Sequence, residues 1–192
     1  MSEQARIPKY APASLDEAQR SLYDAIAGGR RAQGPQVFRI VDDEGQLEGP
    51  FNAFLLQPVL GHALQSVGSA VRYQTTLEDR AREIAILVVA AVWQCDFEVY
   101  AHEAVGRSVG LTDAELEGIR SATYDVLSEA DERTLARTVH ALAVRGDLDD
   151  DEYGRAVEAL GPPQLFEVLT LVGYYAALAL QLRVFRVAAP EA

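Results

Sequence analysis

Apolar residues recur through most of the chain at intervals of three and four, which is the period of an α-helix. The stretch from residue 14 to residue 29 shows this pattern, with apolar side chains at Leu15, Ala18, Leu22, Ala25 and Ile26. Ser14 and Glu17 have the spacing of a capping box, so we predict that the first helix begins after Ser14. The same pattern along the whole chain predicts about seven helices, and therefore an all-α helical bundle.

Glycines, prolines and capping residues mark the boundaries between these helices. Residues 37–47 contain a turn-forming group, Asp43-Glu44-Gly45, which predicts a short hairpin. Thr112 and Glu115 form a second capping-box pattern and predict a helix start. Because no repeat or low-complexity linker divides the chain, we expect one compact domain overall. Within it, residues 1–35 form an N-terminal helical segment and residues 36–192 a larger helical domain.

The charge and the cysteine count limit the partners and the compartment. The 192 residues carry a net charge of −12, so we expect no nucleic-acid partner, because few basic groups are present to replace phosphate counterions. A single cysteine cannot form an intrachain disulfide, which fits a reducing compartment. The N-terminus lacks the apolar core of a signal peptide, and the apolar run at residues 168–180 is too short to cross a membrane. We therefore expect a cytoplasmic protein without membrane contact.

Four polar residues in an otherwise apolar region are the candidates for chemistry. Cys95, Glu98 and His102 are spaced by three and four residues, so a helix through them places all three along one face. Glu83 lies on the preceding predicted helix among aliphatic residues, where an unpaired carboxylate would cost several kcal/mol, about 3–5. His102 is the natural partner for Glu83 if the two helices are antiparallel neighbours.

These residue types permit proton transfer, and they leave other interpretations open. Glu83 and His102 would relay a proton through a water, and Cys95 near a helix N-terminus and a histidine would have a lowered pKa, although Glu98 opposes that effect. Glu83 could instead be a structural acid paired with Arg80, Arg82 or His102, and Cys95 a buried thiol. Zinc binding by Cys95, Glu98 and His102 is the less favoured interpretation, and we expect no metal and no cofactor.

The spacing of Glu83, Cys95, Glu98 and His102, within a segment that begins "LEDRAREIAILVVA", resembles the carboxymuconolactone decarboxylase family. The segments "GPFNAFLLQPVLGHAL" and "LFEVLTLVGYYAALAL" are also similar to family sequences, so the resemblance extends from about residue 6 to residue 187. It implies the all-α fold shared with alkylhydroperoxidase D. It also implies a homo-oligomer, a trimer or a hexamer built as a dimer of trimers, with residues 168–180 contributing to an interface.

The two branches of this family imply different functions. In the alkylhydroperoxidase D branch the reactive centre is a Cys-x-x-Cys pair with a relay of glutamate and histidine, and here Glu98 occupies the position of the second cysteine. A hydroperoxide reductase would then depend on Cys95 alone and on an external thiol. The decarboxylase branch implies cofactor-free acid/base chemistry on a small organic acid or lactone, which we favour. His102 would move the proton, Glu83 would orient it, and Glu98 and Cys95 would line the pocket. A ligand-binding or assembly protein without catalysis is the third alternative.

Overall fold

The computed structural model describes residues 4–29 and 38–189. Within these ranges the chain forms eight α-helices: α1 (Glu17–Ala27), α2 (Pro50–Phe54), α3 (Pro58–Tyr73), α4 (Asp79–Val92), α5 (Asp96–Ser108), α6 (Asp113–Arg120), α7 (Ala130–Arg145) and α8 (Asp150–Phe185). The β pairing in the described ranges is a single bridge between Val41 and Leu47. The predicted all-α class is therefore confirmed. The predicted boundary between residues 35 and 36 lies outside the described residues.

Two helix starts test the capping patterns. Thr112 and Glu115 form the predicted reciprocal capping box at the start of α6. The prediction for α1 was wrong, because Ser14 belongs to a short 3-10 turn and the cap is Asp16, which exchanges hydrogen bonds with Gln19. Pro12 favours that early turn, and the capping pattern two residues later then begins the α-helix.

Helix α4 is the centre of the bundle and positions Glu83. Nine consecutive residues, 82–90, are buried, because α4 packs against α5, α7 and α8 as well as α6. A helix surrounded on all sides needs apolar residues all round, which explains its run of Ile, Leu, Val and Ala side chains. Glu83 and Arg82 are the charged residues within this buried run, so each requires polar partners inside the protein.

A tight turn between α4 and α5 sets the geometry of the candidate site. Gln94 adopts a left-handed conformation (φ 49°), and the amides of Gln94 and Cys95 donate to the carbonyls of Ala91 and Ala90. This is a Schellman motif, which ends α4 and satisfies its last carbonyls. Cys95 then becomes the N-cap residue of α5, in an extended conformation. The reversal returns α5 along α4 and brings His102 beside Glu83.

The N-terminal region folds over the start of α5. Around the Val41–Leu47 bridge, the predicted hairpin turns at Gly45, and the Tyr23 hydroxyl donates to the Gly45 carbonyl. The hairpin leads to Gly49, whose φ of 60° and ψ of −137° suit glycine alone. A β-carbon at Gly49 would lie 2.3 Å from the ring of Phe97, so glycine also permits the close approach of this region to α5.

Helix α8 combines a break with an apolar surface. Gly161 (φ 70°, ψ 161°), followed by two prolines, interrupts the helix where the sequence predicted a boundary. By length and composition α8 would suffice to cross a membrane, but half of its most apolar window is buried inside the protein, as in a core helix. Phe166, Leu169, Leu180 and Val184 on α8 are exposed. The homo-oligomer with an interface at residues 168–180 stays a prediction.

Candidate active site

His102 lies between two carboxylates. Its Nδ1 is 2.6 Å from Oε2 of Glu83 on α4, and its Nε2 is 3.3 Å from Oε2 of Glu98, one turn earlier on α5. The three side chains are 5% exposed or less. The structure thus brings together three of the four predicted site residues, in the order Glu83, His102, Glu98. A protonated imidazole would donate one N–H to each carboxylate.

The electrostatics of this group favour the charged forms. Burial by itself would lower the pKa of His102, but attraction to Glu83 and then Glu98 outweighs burial and raises that pKa above its usual value. Burial would raise the pKa of Glu83, but His102 and then Arg72 outweigh it and hold the pKa below its usual value. Glu83 and His102 therefore form a buried ion pair, in which Glu83 fixes the orientation of the imidazole.

Arg72, which the sequence analysis missed, is the fourth charged member of this group. It lies near the end of α3, its side chain is 15% exposed, and its Nη1 is 3.5 Å from Oε1 of Glu83. Burial would lower its pKa, but charge attraction to Tyr175 and to Glu83 and a hydrogen bond with Tyr175 raise it. The Tyr175 ring also contacts His102 edge to face, with centroids 5.3 Å apart.

The two arginines that the sequence analysis considered as partners of Glu83 form ion pairs with other residues. Arg80 pairs with Glu115 and Glu132, and Arg82 pairs with Asp79.

A small cavity borders this group. Its volume is about 20 Å³, room for about one water molecule. The polar side of the cavity is formed by Arg72, Glu98 and His102, and Tyr175 borders it too. The remaining wall is apolar and comes from three regions of the chain: Phe38, Pro50 and Phe51 before α3, Phe97 and Ala101 on α5, and Leu178 on α8. Two of the ionisable relay residues, Glu98 and His102, thus border a small, largely apolar space.

Cys95 does not share this environment. Its side chain is buried in an apolar cluster with Phe97, Ala101, Ala179 and Leu182. Phe97 and Ala101 also border the cavity, but Cys95 is not among the residues that line it. Burial and, after it, the Glu98 and Asp96 charges raise its pKa to about 11, against two amide hydrogen bonds that lower it. The predicted lowering of the pKa was therefore wrong, because desolvation exceeds any benefit from the helix N-terminus.

The described residues contain no group of three or more histidine, cysteine, aspartate or glutamate side chains placed to hold a metal ion. The zinc interpretation therefore lacks a ligand set in the part of the chain that the structure covers.

Solved structures with the same architecture identify the fold. An alkylhydroperoxidase AhpD core, an uncharacterized peroxidase-related protein from Ralstonia eutropha JMP134, superposes with a TM-score of 0.76 at 13% identity, covering 97% of this chain and 93% of that chain. A peroxidase-related protein from Silicibacter sp. TM1040 gives 0.75 at 11% identity, with 98% and 93% covered. The debrominase Bmp8, a cysteine-to-alanine variant in complex with 2,3,4-tribromopyrrole, gives 0.69 at 7% identity, with 97% and 94% covered. This chain has the alkylhydroperoxidase D-like fold.

The family follows from the sequence. The model of the carboxymuconolactone decarboxylase family matches residues 58–143, a segment that contains Glu83, Cys95, Glu98 and His102. This segment of the chain matches the family model, and the resemblance seen in the sequence is confirmed. No curated protein matches the sequence. The matched segment includes the acid/base relay and Arg72, whereas most of the apolar cavity wall lies outside it.

Proposed function

We propose that the chain is a cofactor-free enzyme that uses general acid/base chemistry on a small organic acid or lactone. The observation that carries the proposal is the imidazole of His102 held between the Glu83 and Glu98 carboxylates at the edge of an apolar cavity. A relay of this kind can deliver and recover a proton at one fixed place. Members of this family are typically enzymes, which supports a catalytic use of the relay.

Each relay residue has a distinct role in the proposal. Glu83 does not line the cavity; it fixes the ring of His102 and favours its protonated form. Glu98 and His102 both border the cavity, so they are the groups that would exchange a proton with substrate. In a decarboxylation, the carboxyl group leaves as carbon dioxide and the electron pair of the broken C–C bond remains on carbon. A proton from Nε2 of the imidazolium then bonds to that carbon, and water reprotonates the imidazole.

The alternative function is a single-cysteine hydroperoxide reductase, which the peroxidase-related descriptions of two structural neighbours favour. Such an enzyme attacks peroxide with a thiolate. Cys95 is buried, with its pKa raised to about 11, and Glu98 takes the place of a resolving cysteine. The acid/base proposal needs no ionised sulfur, and we therefore prefer it.

The test uses deuterium as the reporter of proton transfer. Small lactones and organic acids are incubated with the protein in D₂O, and NMR follows the deuterium that replaces hydrogen or a lost carboxyl group on carbon. We expect incorporation with the wild type and with Cys95→Ser, and its loss with His102→Gln. A parallel assay measures the consumption of cumene hydroperoxide in the presence of dithiothreitol. Peroxide consumption that disappears in Cys95→Ser, without any deuterium incorporation, would replace the acid/base proposal with the peroxidase.

A further inference from the structure

Arg72 is a buried cation at the edge of the cavity with more hydrogen-bond donors than partners. We propose that Arg72 binds the carboxylate of the substrate, and that the ligand of this cavity is a small carboxylic acid whose remainder is apolar. This inference rests on the proposed function and extends it, because it assigns the substrate's acidic group to a residue outside the relay.

The hydrogen-bond inventory of Arg72 leaves capacity for a ligand. A guanidinium carries five N–H donors in a planar fork. In the parts of the chain that the structure covers, the partners of Arg72 are Tyr175 and Oε1 of Glu83, and the Glu83 contact is long, at 3.5 Å. Oε1 of Glu83 has no hydrogen bond, so the pair is a charge contact and not a bidentate clamp. A planar carboxylate would offer two acceptors in the geometry that the fork requires.

Position in the cavity distinguishes Arg72 from the other buried arginine of this region. Arg82 is also buried, and its Nε lacks a hydrogen bond. Arg82 does not border the cavity, and its ion pair is with Asp79 on the same helix. An unused donor indicates a ligand site where a ligand can reach it, and Arg72 meets this condition.

The charges at the site leave Arg72 as the group that can attract an anion. When His102 is protonated, the two carboxylates of Glu83 and Glu98 balance the two cations, so the group is neutral before a ligand binds. The whole chain carries −12, which repels anions in general. Among the described cavity-lining residues, Arg72 is the cation that keeps its charge at every working pH. An acidic substrate would therefore be drawn to Arg72, beside Nε2 of His102.

The rest of the wall selects the remainder of the ligand. Phe38, Phe51 and Phe97 line the cavity together with the polar group. Their faces suit a flat apolar group, since aromatic surfaces pack well against planar ligands. The cavity has room for about one water molecule, so a ligand must move wall side chains in order to enter. Small acids should bind before large ones.

The experiment compares acids with their neutral isosteres by titration calorimetry. The probe pairs are acetate with acetamide, crotonate with crotonamide, and benzoate with benzamide, which differ in charge and hardly in shape. We expect the wild type to bind the acid of at least one pair ten or more times as tightly as its amide. Equal affinity for acid and amide, or binding of neither in all three pairs, would overturn the assignment.

Variants locate the selectivity. Arg72→Met should abolish the preference for the acid, and Arg82→Met, which removes the same charge from a similarly buried site, should retain it. Retention of the preference in Arg72→Met would refute the proposal. If that variant does not fold, the side-chain N–H signals of the arginines in wild-type protein decide, with the Arg72 signal assigned by its absence in Arg72→Lys. Benzoate should shift this signal and benzamide should not, and a shift confined to other arginines would refute the proposal.

The binding result and the turnover result are independent. Acid-selective binding lost in Arg72→Met, without any deuterium incorporation, would support this inference and refute the proposed enzymatic function. Deuterium incorporation without a preference for acids over amides would support the proposed enzymatic function and refute this inference. A merely structural role for Arg72, through Glu83, predicts a shift in the His102 titration in Arg72→Met with the acid preference unchanged.

Discussion

Two polar clusters lie one turn apart on α4, and they differ in how completely their hydrogen bonds are satisfied. Arg80 reaches Glu132 with its Nε at 2.8 Å, Gly110 O with Nη1 at 2.6 Å, and Glu115 with Nη2. Every nitrogen of that guanidinium has an acceptor. Around Glu83, three residues later, Arg72 contacts Glu83 at 3.5 Å, and Oε1 of Glu83 makes no hydrogen bond.

The difference indicates which cluster supports the fold and which is available for chemistry. The Arg80 cluster joins α4 to α6 and α7 and does not border the cavity, so its interactions stabilise the fold. The Glu83 cluster borders a cavity and retains unused donors and acceptors. Natural proteins satisfy nearly all buried polar groups, so an incompletely satisfied cluster beside a cavity is a better functional candidate than a charged cluster as such.

The largest expected effect separates the two clusters by activity. Glu83→Gln keeps the size of the side chain and a hydrogen-bond acceptor for His102, but removes the charge that favours the imidazolium. We expect the deuterium incorporation rate to fall by about 10²–10⁴-fold, the usual contribution of a positioned acid or base. The matched variant Glu132→Gln in the Arg80 cluster should keep nearly the wild-type rate. Equal losses in both variants would show that the comparison reflects stability and not chemistry.

The next effect concerns stability. Arg80→Met leaves Glu115 and Glu132 without their shared cation while both are largely buried, with side chains 10% and 14% exposed. We expect the free energy of unfolding in urea to fall by about 2 kcal/mol, below the full cost of a buried pair because water partly reaches the site. The control is Arg107→Met, whose side chain is 48% exposed and should cost about 0–1 kcal/mol. Similar costs for the two variants would contradict the structural role of the Arg80 cluster.

A smaller effect is the pH dependence of stability. The pKa of His102 is raised in the folded protein, so its contribution is complete below its ordinary value of 6.5 and is lost as pH rises toward the folded pKa. The pKa of Glu83 is lowered, so its contribution is complete above 4.5 and is lost as pH falls toward the folded pKa. The pair therefore contributes fully between about pH 4.5 and 6.5.

The change in stability above pH 6.5 distinguishes the Glu83–His102 pair from the Arg80 cluster. Glu115 in the Arg80 cluster also has a lowered pKa, so both clusters lose stability in acid. Of the two clusters, only the one that contains His102 should lose stability above pH 6.5, and Glu83→Gln should reduce this loss. The measurement is the urea midpoint from pH 4 to pH 9 for the wild type and for this variant. A profile above pH 6.5 that is identical in both proteins would show that Glu83 does not stabilise the imidazolium.

Helical spacing correctly predicted Glu98 beside His102, but it also predicted Cys95 there, and Cys95 does not line the cavity; the reason is local. Glu98 and His102 are both inside α5, where a step of four residues reliably returns to the same face. Cys95 is the N-cap residue, with φ −101° and ψ 94°, so the rotation of 100° per residue does not apply to it. Spacing alone does not show that Cys95 lies just outside the helix, and Cys95 is not among the residues that line the cavity.

Arg72 could not be predicted from spacing. Its proximity to Glu83 depends on how α3 packs within the bundle, and no pattern in the residues near Arg72 reports that tertiary arrangement. A buried carboxylate requires a cation, which allowed the pairing of Glu83 with His102 to be inferred. The same requirement does not say which of several arginines approaches from another helix. Phe51 and Tyr175 line the cavity. The sequence could not distinguish this role from core packing, since aromatic residues in helices most often fill the core.

The smallest expected effect is that of substituting Cys95. A near wild-type rate in this variant would show that the reaction depends on the relay residues and not on the thiol. A pKa of about 11 leaves about one thiol in a thousand ionised at pH 8. The side chain is also 2% exposed, so iodoacetamide should label native protein far more slowly than protein unfolded in urea. Cys95→Ser should retain deuterium incorporation close to the wild-type rate, because the sulfur does not border the cavity. Rapid labelling of the native thiol at pH 7, together with loss of incorporation in Cys95→Ser, would place the sulfur in the reaction and remove the distinction between the relay and its apolar neighbour.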